Sequence, residues 1–270
     1  MAKSDNPFVT ANKRFAVALE RCDAGSANIE DLIRILQRYL DGELTISDSG
    51  PVWDVSVEEK IIAVKAFLAK YAAGEEGFSE ADIPSMPNVQ LRRDEKVNEV
   101  LVLGVYPADK DGEPGWLRSF LWWDFFEISE KLRTKGYKKT CWSELQFKEN
   151  TVRLISNYDY KPGIRWIIVD TKSYHGKSCT QAEESVMRNG EVLAGPEVLM
   201  LLAQCPEWAE SWNGKNSPYP NVTALQMVYG GDWASSAFVN RWDADREVRL
   251  DAYWSDYAGS DWACPSVREC

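Results

Sequence analysis

The chain has 270 residues, and with 44% hydrophobic and 12% aromatic residues it can bury the core of one large or two ordinary domains. Its net charge is −11 and it has no block of Lys or Arg, which argues against nucleic-acid binding through phosphate neutralisation and against an anionic membrane surface. No apolar run at the beginning is typical of a signal peptide, and no stretch approaches the roughly 18 apolar residues of a membrane span. We therefore expect a globular, cytoplasmic protein with neither a nucleic acid nor a membrane as its partner.

The first part of the chain, to about residue 90, is predicted to be a small helical module. Apolar residues at helical spacing indicate two helices, over residues 11–22 and 27–39. A third helix is expected to begin at Ser56, because Ser56 and Glu59 have the spacing of a capping box. Two prolines follow it, and they favour a domain boundary near residue 90.

The remainder of the chain is predicted to mix helices and strands. The apolar, β-rich runs 100–106 and 165–170 indicate strands in the core of a sheet, and helices are expected over residues 122–133 and 196–212. From Tyr219 onward, strand-like residues alternate with turn formers, which indicates several short strands joined by exposed loops. The predicted fold class is therefore α+β.

No enzyme signature rises above background in the sequence. His175 is the only histidine and lies in the polar stretch SYHGKS, so we expect an exposed side chain rather than a catalytic one. The pairs Asp243 with Asp245 and Asp256 with Asp261 could act as acid and base, but spacing alone does not place two carboxyls across a scissile bond. Nucleotide-binding motifs are absent as well, and no cofactor is expected.

Metal binding is not expected either. Asp109, Asp111 and Gly112 resemble the start of a calcium loop, but the later ligands and the glycine offset are missing, so a turn is predicted. The cysteines lack C-x-x-C spacing, which favours reduced thiols over a disulfide framework or a zinc site. They are Cys22, Cys141, Cys179, Cys205, Cys264 and Cys270.

The segment 230–270 is unlike the rest of the chain. Its tryptophans are separated by short runs of Asp, Ser, Ala, Gly and Tyr, and Lys215, Gln226 and Met227 are the last residues of their types. If the adenines of the asparagine codons AAC and AAT are randomised, the code yields Asp, Ser, Ala, Gly, Tyr, Phe, Val and Arg among others, but never Lys, Gln, Met, Glu or Trp. The short runs between the tryptophans contain residues from this reachable set.

The C-terminal sequence contains Trp208, Trp212 and Tyr219, followed by the run VYGGDWASSAFVNRWDADREVRLDAYWSDYAGSDWACPSVRE. Together they resemble the C-terminal half of variable proteins diversified by retroelements, which have a C-type lectin fold related to the formylglycine-generating enzyme group. The preceding AGPEVLMLLAQCPEWAESW is similar to the segment before the variable region of such proteins. The resemblance covers about residues 97–270 and is strongest after residue 190.

The resemblance implies that adenine-directed mutagenesis rewrites codons in a variable region of about residues 228–270, while a stable scaffold presents the altered side chains. GGDW at 230–233 matches the strand-entry motif of the family, and WACPSVRE at 262–269 matches its closing strand. The scaffold residues implied in this way are Trp233, Trp242, Trp254, Trp262 and Arg268. The implied variable, ligand-facing residues are Asp232, Ala234, Ser235, Ser236, Phe238, Asp243, Ala244, Asp245, Tyr253, Ser255, Asp256, Tyr257, Ala258, Gly259, Ser260 and Asp261.

The function implied by the resemblance is binding of a protein ligand without catalysis. The C-type lectin-like domain would occupy residues 91–270, with short antiparallel strands and flanking helices. Its clustered aromatic residues offer anchoring area, and its aspartates favour a basic partner surface. Catalysis does not carry over, because Cys264 and Cys270 do not show the paired-cysteine copper site of formylglycine-generating enzymes. SWNG at 211–214 is too weak a match to the calcium cluster of sugar-binding lectins.

Two other functions stay open at this point. The chain could be a lectin-fold enzyme that uses Cys264, His175 or an Asp pair, which a partly buried thiolate beside a cation would support. It could also be a structural protein whose N-terminal helices drive self-association. The sequence fixes neither the ligand nor the oligomeric state.

Overall fold

The computed structural model describes residues 51, 53–72, 78–141, 151–155, 158–189, 191–229 and 232–270. The helices predicted over residues 11–22 and 27–39 lie outside these residues. A π-helical turn, Leu68–Ala72, extends the first described helix, and a short 3-10 helix covers Glu80–Asp82. The α-helices of the described part are α1 (Val57–Phe67), α2 (Gly115–Arg118), α3 (Leu121–Phe125), α4 (Glu130–Thr134), α5 (Cys179–Asn189), α6 (Pro196–Gln204) and α7 (Trp208–Ser211).

The described strands form two sheets. One has four strands in the order β1-β4-β10-β5, and the other has six, in the order β2-β8-β7-β6-β3 with β9 beside β6. Two pairs are parallel, β2 with β8 and β6 with β9. This mixture of helices with two sheets confirms the predicted α+β class. The strands are β1 (Glu99–Tyr106), β2 (Lys138–Cys141), β3 (Val152–Leu154), β4 (Gly163–Asp170), β5 (Val192–Leu193), β6 (Tyr219–Tyr229), β7 (Asp232–Trp242), β8 (Glu247–Trp254), β9 (Trp262–Ala263) and β10 (Ser266–Glu269).

Helix α1 begins at the capping box that the sequence predicts. The backbone N–H of Glu59 donates to Oγ of Ser56 at 3.2 Å, and the backbone N–H of Ser56 donates to the Glu59 carboxylate at 2.8 Å. These two hydrogen bonds satisfy donors that the first turn of a helix leaves without partners. The third predicted helix is therefore confirmed.

Helix α1 also belongs to the core of the second part of the chain. The Phe67 ring stacks on Trp122 with centroids 3.8 Å apart, and Nζ of the buried Lys60 donates to the carbonyl oxygen of Leu101 on β1 at 2.7 Å. Contacts group Pro51–Cys270 into one compact unit. The boundary expected near residue 90 falls inside this unit, because α1 packs against β1 and α6.

Strands β1 and β4 form the buried centre of the four-stranded sheet. Every residue of β1 is buried, and the two strands pair from Glu99 opposite Asp170 to Tyr106 opposite Gly163. An all-buried, apolar run is typical of a strand covered on both faces. The strands predicted over residues 100–106 and 165–170 are confirmed.

The last strand, β10, lies on the other side of β4 and is tied across it to β1. Arg268 on β10 donates to the buried carboxylate of Glu99 at 3.2 and 3.1 Å, and Nε of Arg92 donates to it at 2.8 Å. Burial alone would raise the pKa of Glu99, but the hydrogen bonds from Arg268 and Arg92 outweigh it and hold this pKa below its usual value. The end of the chain is therefore fixed by an ionised pair.

Strands β6, β7 and β8 form an antiparallel meander with one face in the core. Ala237 and Val239 on β7 and Leu250 on β8 are fully buried, whereas Phe238 and Asn240 point to the opposite face because successive side chains alternate. Strands β6 and β7 have 11 residues each, so they are longer than the short strands predicted after Tyr219. The outward face of this meander carries the candidate site.

Two predicted helices are each divided in two. Two short helices, α3 and α4, replace the single helix predicted over residues 122–133, because the chain is extended after α3. The Ser129 side chain caps α4 by accepting a hydrogen bond from the backbone N–H of Leu132 at 3.3 Å. The helix predicted over residues 196–212 breaks at Cys205, because proline disfavours helical conformation in the residue before it and Pro206 follows.

A search of the described helices for one with the length and apolar character of a membrane span finds none.

Replacing Phe67 by Ala is expected to lower the free energy of unfolding by about 3–5 kcal/mol, because it leaves a cavity beside Trp122. Ile62→Ala on the same helix is the matched control. Its side chain is 65% exposed, so the change should be within about 0.5 kcal/mol. Urea unfolding measures the free energy of unfolding of both variants. Equally small decreases in the two variants would show that α1 is not part of the core.

Replacing Arg268 by Met is expected to lower the free energy of unfolding by about 1–2 kcal/mol at neutral pH, because Glu99 then keeps only Arg92. The pKa of Glu99 is depressed in the folded state, so its stabilisation is present above the unfolded pKa of about 4.3 and is lost as the pH falls through the folded pKa. The difference in the free energy of unfolding between wild type and variant, measured by urea titration, should therefore shrink below about pH 4.3. Arg188→Met removes an exposed pair with Glu184 and should cost little at any pH. A difference that stays constant with pH argues against an ionised Glu99 as its source.

Candidate functional site

A groove of about 260 Å³ opens on the outward face of β7 and β8. Part of its lining is polar, from Cys179, Asn221, Ser236 and Asn240. The rest is aromatic, and we call the site the aromatic groove. Its aromatic residues are Phe238, Trp242, Tyr253, Trp254, Tyr257 and Trp262.

Strand alternation places much of this lining. Ser236, Phe238, Asn240 and Trp242 are two residues apart along β7, so their side chains share its outward face. Across the ladder, Ser236 pairs with Tyr253 of β8. Two neighbouring strands therefore build the floor and one wall together.

The segment 255–261 returns the chain over the groove from β8 to β9. The backbone N–H of Tyr257 donates to the carbonyl of Trp254 at 3.0 Å, and that of Trp262 donates to the carbonyl of Gly259 at 3.2 Å. A Cβ on Gly259 would lie only 2.5 Å from Cδ1 of the Trp262 ring. A larger residue at position 259 therefore has to displace that ring.

Two edge-to-face aromatic pairs hold the walls of the groove. The rings of Tyr253 and Tyr257 have centroids 5.0 Å apart at 74°, and those of Phe238 and Trp262 are 4.6 Å apart at 73°. Such pairs contribute about 0.5–1.5 kcal/mol beyond the area that they bury. Tyr253 and Tyr257 are nevertheless 50% and 54% exposed. The two tyrosines are thus ordered by each other and available to a ligand.

Asn240 is a buried polar residue in the floor of the groove. It is 6% exposed, and its Oδ1 has no hydrogen-bond partner among the residues that the structure describes. A buried polar atom without a partner costs about 1–3 kcal/mol. A group that enters the groove can recover part of that cost.

Two buried thiols contact each other, and one of them, Cys179, lines the groove. Sγ of Cys264 donates to Sγ of Cys179 at 4.0 Å, and Nδ2 of Asn221 donates to Sγ of Cys264 at 3.5 Å. The hydrogen bond with Cys179, together with burial, raises the pKa of Cys264 well above its usual value. Cys264 therefore stays protonated at neutral pH, which does not favour a role as nucleophile.

His175 is exposed in a turn, as predicted. Its Nε2 lies 3.3 Å from the carbonyl oxygen of Gly214. Of the carboxylates named as candidate acids and bases, Asp256 accepts a hydrogen bond from Oγ1 of Thr180 at 2.7 Å. These contacts hold surface turns together.

The turn between β7 and β8 projects Asp243, Ala244 and Asp245 into solvent. Asp243 is the anchored member, because it accepts from the Tyr137 hydroxyl at 2.6 Å and from Nε of Arg241 at 2.8 Å. The hydrogen bond from Tyr137 is the largest of the effects that lower the pKa of Asp243. Asp243 therefore carries a negative charge at neutral pH.

Most of the residues expected to be variable face solvent or lie half-buried. The exposed and half-buried members are Asp243, Ala244, Asp245, Tyr253, Ser255, Asp256, Tyr257, Ala258, Gly259, Ser260 and Asp261. Ser236 and Phe238 are buried but line the groove. Ser235, in contrast, is on the core side of β7 with Ala237, and it is fully buried. The side chains of Asp232 and Ala234 lie outside the described residues.

Three of the expected scaffold residues have partners that hold them in place. The Arg153 guanidinium lies over the Trp233 ring at 4.6 Å, and the Trp262 ring contacts Tyr219 with centroids 5.3 Å apart. Arg268 forms the ion pair across β4.

Trp242 and Trp254 have a different environment from the buried anchors that the sequence suggests. They are 43% and 48% exposed, and both line the aromatic groove. Each is the last residue of its strand. Their indoles are thus contact surface as well as framework.

The calcium-like segment forms the predicted turn. Asp109 accepts a hydrogen bond from the backbone N–H of Gly115 at 2.7 Å, and Asp111 and Gly112 have φ values of 52° and 84°. Within the described ranges, no group of three or more His, Cys, Asp or Glu side chains is placed to hold a metal ion.

Known proteins offer no guide to the groove. No protein-family model matches the chain, and no curated protein or solved structure matches it. The chemistry of the groove must therefore be inferred from its own side chains.

Sequence reasoning missed three groove residues, Asn221, Asn240 and Cys179. Asn240 had two signals: it is the only asparagine after residue 227, and it is two residues from Phe238 in a strand-like run. Cys179 had none, because it is 85 residues from Cys264 along the chain and only the fold brings the two thiols together.

Cys264 is expected to resist alkylation by iodoacetamide at pH 8 in the folded protein, because it is buried and protonated. Cys270 is exposed and is the internal control that should react first. Peptide mapping by mass spectrometry over time gives both rates, and an unfolded sample gives the upper limit. Reaction of Cys264 as fast as that of Cys270 would favour the enzymatic alternative.

Proposed function

We propose that the chain is a ligand-binding protein without catalytic activity, in which a C-type lectin-like domain within the compact unit Pro51–Cys270 presents a hypervariable recognition surface. In this proposal, retroelement mutagenesis diversifies a region of about residues 228–270. The ligand is a protein with a basic surface, and the location is the cytoplasm, as the sequence leads us to expect.

The observation that supports this proposal is that four of the expected variable residues line one groove. They are Ser236, Phe238, Tyr253 and Tyr257. Phe238 comes from β7, Tyr253 from β8 and Tyr257 from the covering segment, yet all three line the same cavity. The turn with Asp243 and Asp245 is exposed beside the strands that build the groove. Residues chosen from the sequence alone thus lie together at one cavity, which supports a role of this surface in binding.

The meander can change on this surface without losing its core. Ala237, Val239 and Leu250 fill the inward face, and they are not among the residues expected to vary. Outward substitutions change what a ligand meets but leave the inward packing in place. A rigid support with replaceable surface side chains is also how antibody loops achieve diversity.

The tryptophans of the groove supply walls that diversification cannot alter. The tryptophan codon, TGG, contains no adenine, so adenine-directed mutagenesis leaves Trp242, Trp254 and Trp262 unchanged. These three residues line the groove together with the replaceable ones. The proposal thus predicts one constant aromatic frame around a changing set of contacts.

Ser235 and Gly259 are the positions where variation should be most limited. Ser235 is fully buried on the core side, so a large side chain there overpacks the core. A Cβ on Gly259 collides with the Trp262 ring unless that ring moves. Natural versions of the protein should therefore keep small residues at both positions.

The experiment that tests the proposal is to sequence the DNA around the gene. We expect a near-copy of the codons for residues 228–270 beside a reverse-transcriptase gene, with differences from the gene confined to adenines of the copy. The codons for residues 97–227 are the control and should have no copy. Absence of a copy, or differences spread over all four bases, would overturn the proposal.

A further inference from the structure

The aromatic groove is too small for a whole ligand. Its volume of about 260 Å³ is below the roughly 300–1,000 Å³ of pockets that enclose drug-sized molecules. A protein ligand, on which the proposed function rests, would therefore insert one side chain and contact the rim with the rest of its surface. The chemistry of the groove decides which side chain.

The ring faces of the groove favour a cation. Trp254, Trp262, Tyr253 and Tyr257 line the groove. The face of an aromatic ring carries negative partial charge, and tryptophan attracts cations best. Because Trp254 and Trp262 lie outside the reach of adenine-directed change, this preference would persist in every version of the protein.

Carboxylates add to this preference. Asp251 pairs across the ladder with Phe238, which lines the groove. Arg249 is a cation on this face. It is engaged by Glu247 at 2.6 Å, lies 3.7 Å from Asp251 and lies over the Trp242 ring of the groove at 5.8 Å. Asp256 is exposed on the covering segment. Two carboxylates therefore lie near residues that line the groove, in a chain whose net charge is −11.

Asn240 adds a directed polar contact at the bottom. Its amide lacks a partner for Oδ1, and a side-chain amide can turn its oxygen toward a donor or its nitrogen toward an acceptor. Next to aromatic faces and carboxylates, the complementary group is a donor that is also a cation.

Guanidinium fits this combination better than ammonium. It is planar, stacks on aromatic rings and is less strongly hydrated than ammonium. The chain itself uses the same contact, since Arg153 lies over Trp233 at 4.6 Å and Arg165 lies over Tyr106 at 3.7 Å. We infer that the aromatic groove binds the guanidinium group of an arginine side chain displayed by the protein partner.

Two capped peptides test the inference on the full chain. Acetyl-Gly-Arg-Gly-amide carries the guanidinium, and acetyl-Gly-citrulline-Gly-amide is its neutral counterpart of the same shape. In an NMR titration of the indole N–H resonances, the arginine peptide should shift the signals of Trp254 and Trp262. The citrulline peptide should bind about tenfold more weakly, as expected for loss of a desolvated cation–π contact.

Variants locate the binding on the groove. Trp254→Leu should weaken the arginine peptide about tenfold, because it removes a ring face and keeps apolar bulk. Ile62→Ala changes an exposed apolar residue on α1 that does not line the groove, and it should leave the affinity unchanged. Circular dichroism and thermal unfolding of both variants separate loss of the site from loss of the fold.

Arginine-selective binding that Trp254→Leu removes supports the inference. Equal affinities of the two peptides, absence of binding at millimolar concentration, or binding that Trp254→Leu leaves intact each overturn it. The proposed function stands or falls separately, because the DNA around the gene tests it without any peptide.

Discussion

The ion pair between Arg268 and Glu99 fixes the end of the described chain to the strand where its first sheet begins. Glu99 is 1% exposed, so its charge depends on Arg268 and Arg92, and Arg268 reaches it across β4. A buried carboxylate without such partners is strongly destabilising. Because β10 is held in this way, the segment 255–261 is anchored at both of its ends, and the groove that it covers has a defined shape.

The meander of β6, β7 and β8 separates the core on one face from the aromatic groove on the other. Val239 and Leu250 on the inward face belong to the main core, whereas Phe238 and Tyr253 belong to the groove. A single-residue shift of register would exchange the two faces, so the ladder must hold its register for either role. The long, continuous pairing of β7 with β8, from Ser235 opposite Trp254 to Trp242 opposite Glu247, provides that constraint.

Short stretches of sequence correctly predicted those helices and strands that a short stretch is enough to determine. The capping box at Ser56 and the apolar run of β1 belong to that class, because one turn or one strand decides them. The breaks within the two predicted helices depend on the surrounding structure, and only Pro206 indicates one of them in the sequence. At the site, codon reasoning selected surface positions such as Tyr257, but it could not distinguish Ser235 on the core side from Ser236 one residue later. The exposure of Trp254 was equally unreadable, since a tryptophan suggests burial wherever it occurs.

The contrast between buried and exposed tryptophans gives the protein an optical property. Trp122, Trp208 and Trp212 are fully buried, so their emission is set by the interior and is the same whether the groove is filled or empty. Trp242 and Trp254 are nearly half exposed at the groove, and the emission of an indole depends on its contact with water. Intrinsic fluorescence therefore reports occupancy of the groove against a steady background. If TGG codons are spared, every diversified version would carry the same reporter, and different versions could be compared without labelling.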